Sequence, residues 1–166
     1  MQHKTLQISL WVLFASIVIA PVCFGATVTG TIQYDGDVPQ FKEIKMDADP
    51  ICLAKHTESI FPETLVLGEG KTLANVLVSV KGGLAKKEYP APSDAVVLNQ
   101  EGCQYKPHVF GAMVGQKVKI LNPDGTLHNV HALPKTNAEF NLAMPQFRKE
   151  VEKIFDKEET TPFAFK

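Results

Sequence analysis

The sequence predicts an all-β protein, and three observations lead to that prediction. Apolar and polar residues alternate in several short runs, which is the period of a half-buried strand. Eleven glycines and eleven prolines are spread along the 166 residues, and turn-forming clusters separate the runs. The composition, 45% hydrophobic and 21% charged, is that of a single packed domain. Together these features favour an antiparallel β-sandwich or barrel.

The first 25 residues have the pattern of a cleaved signal peptide. Lys4 provides a cationic start, and Ile8–Val22 is an uncharged apolar stretch followed by small residues. The stretch is shorter than the ~20 residues that a membrane-spanning helix needs, so we expect cleavage just after Gly25 or Ala26. An uncleaved anchor and a lipoprotein are the alternatives. The sequence therefore predicts a leader over 1–25, one domain over 26–166, and a periplasmic or secreted location without a membrane span.

Removal of this leader changes the cysteine count and the charge. The mature chain keeps Cys52 and Cys103, with 16 basic and 18 acidic residues once Lys4 is gone. Two cysteines in an exported chain favour one disulfide, which in the chain-entropy account adds about 4 kcal/mol of stability. A free Cys103 thiolate that acts as a metal ligand is the alternative. The slightly negative charge offers no basic surface, so we expect no nucleic-acid partner.

The predicted strands follow one another along the mature chain. The runs with the clearest alternation are Thr27–Tyr34, Asn75–Lys81 and Lys117–Leu121. Shorter β-prone runs lie at Thr64–Leu67, Ala95–Leu98, His128–Ala132 and Pro162–Phe165.

Helix signals are confined to two stretches. Within Asp47–His56, one or two turns can begin at Pro50, with Asp49 as the capping residue. Gln146–Phe155 has helix-favouring charges, but its apolar residues suit a strand equally well.

The segment Asn122–His131 is the most informative for function, because a turn leads there into a strand that begins with a histidine. Alternate residues of a strand point to opposite faces, so His128 and Val130 share one face while Asn129 and His131 share the other. At most one of these histidines is therefore a ligand for a given ion. A hydrogen-bonded structural histidine is the alternative interpretation.

Other chemistry is less well supported by the sequence. Cys103-x4-His108-x4-Met113, joined by His128, has the soft ligand types of a copper site, but it requires Cys103 to remain unpaired. No nucleophile elbow, phosphate-binding loop or His-Glu-x-x-His motif is present, so we do not expect an enzyme.

Several segments of the mature chain resemble exported bacterial cupredoxin-like proteins, the plastocyanin- and azurin-like group often labelled methylamine-utilisation proteins. The segments that carry the resemblance are Gly30–Gly36, Lys45–Cys52, Leu73–Val78, Gly102–Val109 and Leu127–Pro134. The resemblance implies a cupredoxin-like Greek-key β-sandwich with a Cys52–Cys103 disulfide.

The same resemblance implies a copper site. His128 would be the upstream copper ligand, and the Asn129 amide would lie just outside the ligand set and donate toward the copper thiolate. His108 and His131 match recurrent positions to which no role is assigned.

One feature of the family is missing from this sequence. Its remaining ligands lie on a Cys-x-x-His-x-x-Met loop that follows a segment resembling Thr160–Lys166, and no cysteine or histidine follows His131 here. We therefore expect a fragment that stops before the copper loop and the last strand. A degenerate member without a metal site is the alternative.

The resemblance predicts an exported electron carrier that binds one copper ion if the missing loop exists. Its partner would be a periplasmic redox protein. The alternative function is a non-catalytic β-sandwich, without metal, that binds a ligand or takes part in cell-envelope interactions.

Overall fold

Strands dominate the computed structural model of this protein, which describes residues 27–83 and 87–166. The predicted signal peptide, residues 1–25, lies outside the described residues. In chain order, the helices and strands are the short helix α1 (Pro50–Ala54), a 3₁₀ turn (Glu69–Lys71), β1 (Val96–Gln100), β2 (Tyr105–Lys106), β3 (Lys117–Leu121), β4 (His128–Ala132), β5 (Phe140–Met144) and β6 (Glu150–Ile154). None of the described helices is long and apolar enough to cross a membrane.

The strands form a four-stranded sheet, in the order β2-β1-β3-β6, and a two-stranded sheet of β4 and β5. The prediction of an all-β protein is confirmed. The prediction of purely antiparallel pairing is wrong for β1 and β3, which run parallel with Val96 opposite Val118. A parallel pair needs a long connection, and the chain between these strands passes through β2 and an extended loop.

The inner faces of the two sheets share one hydrophobic core. Leu98, Val118 and Ile120 come from the first sheet, and Val130 and Met144 come from the second. All five side chains are at most 1% exposed. The fold is therefore sandwich-like, with its centre between β3 and β4.

Several predicted elements agree with the structure. The bounds of β3 and β4 match the predicted runs, and β1 extends the predicted run to Gln100. The ambiguous stretch Gln146–Phe155 contains a strand, β6, because the edge of β3 offers it a partner. Lys117–Glu152 and Lys119–Glu150 ion pairs, each at 3.2 Å, bridge the two strands.

Two strongly alternating runs do not form strands. Thr27–Tyr34 makes only one isolated bridge, between Gln33 and Thr72, and Asn75–Lys81 makes none. In the second run Val76, Val78 and Val80 remain 42–76% exposed. Alternation alone does not make a strand, because the backbone also needs a neighbouring strand with which to pair.

Helix α1 forms as predicted. The Asp49 Oδ1 atom accepts hydrogen bonds from the backbone N–H groups of Ile51 (2.7 Å) and Cys52 (3.4 Å), and Pro50 occupies the first turn. Asp49 Oδ2 accepts a hydrogen bond of 2.6 Å from the Thr126 hydroxyl. The cap therefore fastens the helix to the loop between β3 and β4.

The C-terminal residues add to the second sheet. The His131 and Leu133 N–H groups donate to the carbonyls of Lys166 (2.8 Å) and Ala164 (3.0 Å), next to an isolated bridge between Ala132 and Phe165. The Phe165 ring packs against the core. The run Pro162–Phe165 contributes this bridge but no longer strand.

A buried-core substitution tests this description of the fold. Ile120→Ala leaves a cavity between the sheets, so we expect it to lower the free energy of unfolding by about 2–5 kcal/mol. Ile154→Ala is the matched control, since that side chain is 54% exposed on β6 and its loss should cost about 0.5 kcal/mol or less. Urea unfolding with the disulfide intact measures both values, and equal losses would contradict the assigned core.

Candidate metal centre

His128 occupies the first position of β4, directly after the loop that leaves β3. Its side chain is 12% exposed. It shares the inner face of the strand with the buried Val130, whereas Asn129 is exposed on the other face, as the sequence predicted. The imidazole therefore lies at the end of the sandwich, where the core meets the connecting loops.

The loop between β3 and β4 is held by a buried asparagine. Asn122 Nδ2 donates to the Thr126 carbonyl (3.0 Å) and to the Met144 carbonyl (2.7 Å). The first bond closes the loop on itself, and the second fixes it to β5. This arrangement turns the side chain of Asp124 inward, where it is fully buried.

Asp124 is the centre of a hydrogen-bond network. Its Oδ2 atom lies 2.8 Å from His128 Nε2 and accepts a hydrogen bond of 2.9 Å from the Cys103 N–H. Its Oδ1 atom accepts from the Gly102 N–H (3.2 Å) and lies 3.4 Å from the Lys55 ammonium. One carboxylate thus joins the end of α1, the loop after β1 and the start of β4.

Asp124 is ionised over the ordinary pH range. Burial acts to raise its pKa, but hydrogen bonds from His128, the two backbone N–H groups and Lys55 outweigh it and lower the pKa to about 2. An ionised carboxylate only accepts hydrogen bonds. Nε2 of His128 must therefore carry the proton that lies between the two residues.

This proton position leaves Nδ1 of His128 as the available nitrogen. In neutral imidazole the nitrogen without a proton is an acceptor and a possible metal ligand. Within residues 27–83 and 87–166, no hydrogen-bond partner occupies Nδ1 of His128. The ring is therefore fixed through one nitrogen and open at the other.

The loop after β1 is held by the disulfide and by His56. The structure joins Cys52 and Cys103 through a disulfide, so the predicted pairing is present and the alternative of a free Cys103 does not hold in this state. Gly102 and Cys103 both have positive φ angles, 68° and 59°. A side chain at Gly102 would lie 3.3 Å from the His56 ring, which bonds the Gly102 carbonyl at 2.7 Å.

A small cavity of about 130 Å³ adjoins the histidine. His128, Asn129, Tyr105 and Gln100 contribute to its lining, together with Lys166. The Tyr105 hydroxyl lies 3.1 Å from the Asn129 carbonyl and 2.9 Å from the Lys166 carbonyl, and its single O–H can donate to either; burial raises its pKa. The open end of the sandwich is thus lined mainly by groups that form hydrogen bonds.

The other histidines that the sequence singled out lie elsewhere. His131 Nε2 lies 2.6 Å from Glu139 on the outer face of the second sheet, and His108 Nδ1 lies 3.0 Å from Glu63. Met113 borders a separate groove of about 780 Å³. The alternative copper set of Cys103, His108 and Met113 is therefore not assembled.

Asn129 makes a different contact from the one that the resemblance implies. Its Nδ2 atom donates to Asn141 Oδ1 of the neighbouring strand at 2.5 Å, across the outer face of the sheet. A role for its amide beside a metal thiolate stays a prediction.

Sequence reasoning missed Asp124, which the structure places at the centre of the site. The available signal was its position four residues before His128, inside a turn that delivers the chain to the strand. Asp-Gly after proline is a common turn sequence, so the residue was interpreted as part of a turn.

Comparisons with protein families, curated proteins and solved structures find no match to this chain.

The ionised state of Asp124 predicts how stability depends on pH. The pKa of this carboxyl falls from 3.8 in the unfolded chain to about 2 in the folded protein, so it stabilises the fold above about pH 4. This contribution, about 2 kcal/mol, disappears as the pH falls from 4 to 2. We expect the difference in unfolding free energy between the wild type and Asp124→Asn to shrink by that amount over this range.

Urea unfolding at a series of pH values measures the difference. Asp156→Asn is the control, because it removes an exposed carboxylate. A difference between the wild type and Asp124→Asn that stays constant from pH 4 to pH 2 would contradict the assigned network.

Proposed function

We propose that this protein is an exported cupredoxin-like protein that binds one copper ion and carries electrons, with His128 as one copper ligand. The observation that carries the proposal is the His128 ring, which is bonded to buried Asp124 through Nε2 and open at Nδ1. The sandwich-like all-β fold and the Cys52–Cys103 disulfide are compatible with the cupredoxin-like architecture.

The environment of His128 suits a metal-binding imidazole. Histidines that bind metals usually donate the other ring N–H to a carboxylate or a carbonyl, which fixes the ring and makes the ligating nitrogen more basic. Asp124 provides that acceptor at 2.8 Å, and its own hydrogen bonds keep it ionised. Imidazole is a common ligand for copper. His128 Nδ1 would therefore hold the ion at the loop end of the sandwich.

The remaining ligands would come from polypeptide outside residues 27–166. Both cysteines among the described residues are in the disulfide, so these residues offer no free thiolate. In the proposal, a Cys, a His and a Met like those of the family's copper loop complete the site beside the cavity near His128. Bound copper would supply one-electron chemistry between Cu(I) and Cu(II). A periplasmic redox protein would be the electron-transfer partner.

A second candidate function is favoured by the large groove. Tyr105, Pro107, Phe110, Phe155 and Phe163 line part of this space, which is suited to an apolar ligand. The protein would then be a non-catalytic binding domain of the cell envelope, without metal. A His128 substitution would leave such binding unchanged, which separates this function from the copper proposal.

The first proposal is tested by copper binding to the protein produced from its full-length gene. We expect the wild type to show the intense visible thiolate-to-copper absorption of a cupredoxin and His128→Gln to lose it. Asp124→Asn should weaken copper binding by about 10–100-fold, because it removes the group that orients the imidazole. His131→Gln is the matched control, since that histidine lies on the outer face and should not alter the spectrum.

Two results would overturn the copper proposal. One is a His128→Gln variant that binds copper like the wild type. The other is a reading frame beyond codon 166 that encodes no cysteine, histidine and methionine ligand set.

A further inference from the structure

The copper proposal uses only part of a cluster that consists of Cys103, Asp124 and His128. Each offers one potential ligand atom, and these three atoms lie within 4.8 Å of one another. Within residues 27–83 and 87–166, this is the one such group of His, Cys, Asp or Glu side chains. Asp124 is fully buried and His128 nearly so, so the fold itself brings them together.

The cluster lacks a thiolate in the oxidised protein. The Cys103 sulfur is bonded to Cys52, and the thiolate is the form of cysteine that binds metals. The other two groups already lie side by side, because Asp124 Oδ2 is 2.8 Å from His128 Nε2. The disulfide therefore prevents the Cys103 sulfur, the third potential ligand, from binding a metal.

We propose that reduction of the Cys52–Cys103 disulfide creates a zinc-type metal site from the Cys103 thiolate, His128 Nε2 and the Asp124 carboxylate. The ion takes the place of the proton between Nε2 and Asp124 Oδ2, and Nδ1 carries that proton instead. Three protein ligands with one position left for water is a common arrangement for Zn²⁺. Disulfide and metal then compete for the same sulfur. The inference rests on the proposed role of His128 as a metal ligand, but it uses the other ring nitrogen, and it does not require the copper loop.

The redox step requires a dithiol reductant. Its two sulfurs supply two electrons and two protons, the Cys52–Cys103 bond breaks to give two thiols, and the reductant becomes a disulfide. Cys103 releases its proton when the sulfur binds the cation.

The structure explains why Cys103 would stay in place after reduction. Its backbone N–H and that of Gly102 donate to the Asp124 carboxylate, and the Gly102 carbonyl is bonded to His56. None of these bonds involves the sulfur atom, so all of them can persist when the disulfide opens. Cys52 lies on α1, and its sulfur is not among the ligand atoms of the cluster.

A matched pair of variants tests the proposal. Cys52→Ser and Cys103→Ser both remove the disulfide, but only Cys52→Ser keeps the thiol of the cluster. We expect Cys52→Ser to bind one equivalent of Zn²⁺ at least about tenfold more tightly than Cys103→Ser or the oxidised wild type. Calorimetric titration gives the affinities, and Co²⁺ substitution should show a thiolate-to-cobalt absorption in Cys52→Ser alone.

Alkylation of the reduced wild type provides a second measurement that does not depend on either variant folding. Zn²⁺ should protect Cys103 from iodoacetamide and leave Cys52 reactive, as read by peptide mass mapping. Equal Zn²⁺ affinity in the two variants, or equal protection of both cysteines, would overturn the proposal. Either result leaves the copper proposal intact, because that proposal is judged by the His128→Gln spectrum of the oxidised protein.

Discussion

The buried carboxylate of Asp124 is the interaction on which the candidate centre depends. An ionised group in the protein interior is costly unless donors surround it, and here an imidazole, two backbone N–H groups and an ammonium do so. Three of these four donors, from Lys55, Gly102 and Cys103, come from parts of the chain that are distant in sequence, and His128 lies four residues after Asp124. Together with the disulfide and the hydrogen bond between Asp49 and Thr126, the charge holds these segments in place, and it fixes the His128 ring.

Loops, rather than regular secondary structure, build most of this centre. Only His128 belongs to a strand, and α1 is too short to be stable without Asp49 and the disulfide. The loops nevertheless have a fixed conformation, because buried side chains form hydrogen bonds inside them. Asn122 closes one loop on itself, and Gly102 lets the other pass close to His56. Hydrogen bonds of the Asn122 and His56 side chains fix the backbone of these loops, as strand pairing fixes the backbone in the sheets.

Local patterns in the sequence predicted those features that depend on neighbouring residues. They predicted β3, β4, the capped turn at Pro50 and the opposite faces of His128 and Asn129. They failed where the outcome depends on distant partners, as in the parallel pairing of β1 with β3. No strand was predicted at β5, although Phe140, Leu142 and Met144 alternate along it. Asp124 could not be identified as a buried hub, because three of its four donors lie more than 20 residues away, in the loop after β1 and at Lys55 just after α1.

The unpaired run from Val76 to Val80 has a consequence for the behaviour of the protein in solution. Its valines are exposed and its backbone has no strand partner among the described residues. An extended apolar segment of this kind can hydrogen-bond to the same segment of another molecule. Self-association at high concentration would therefore begin here, far in sequence from the chemistry around His128.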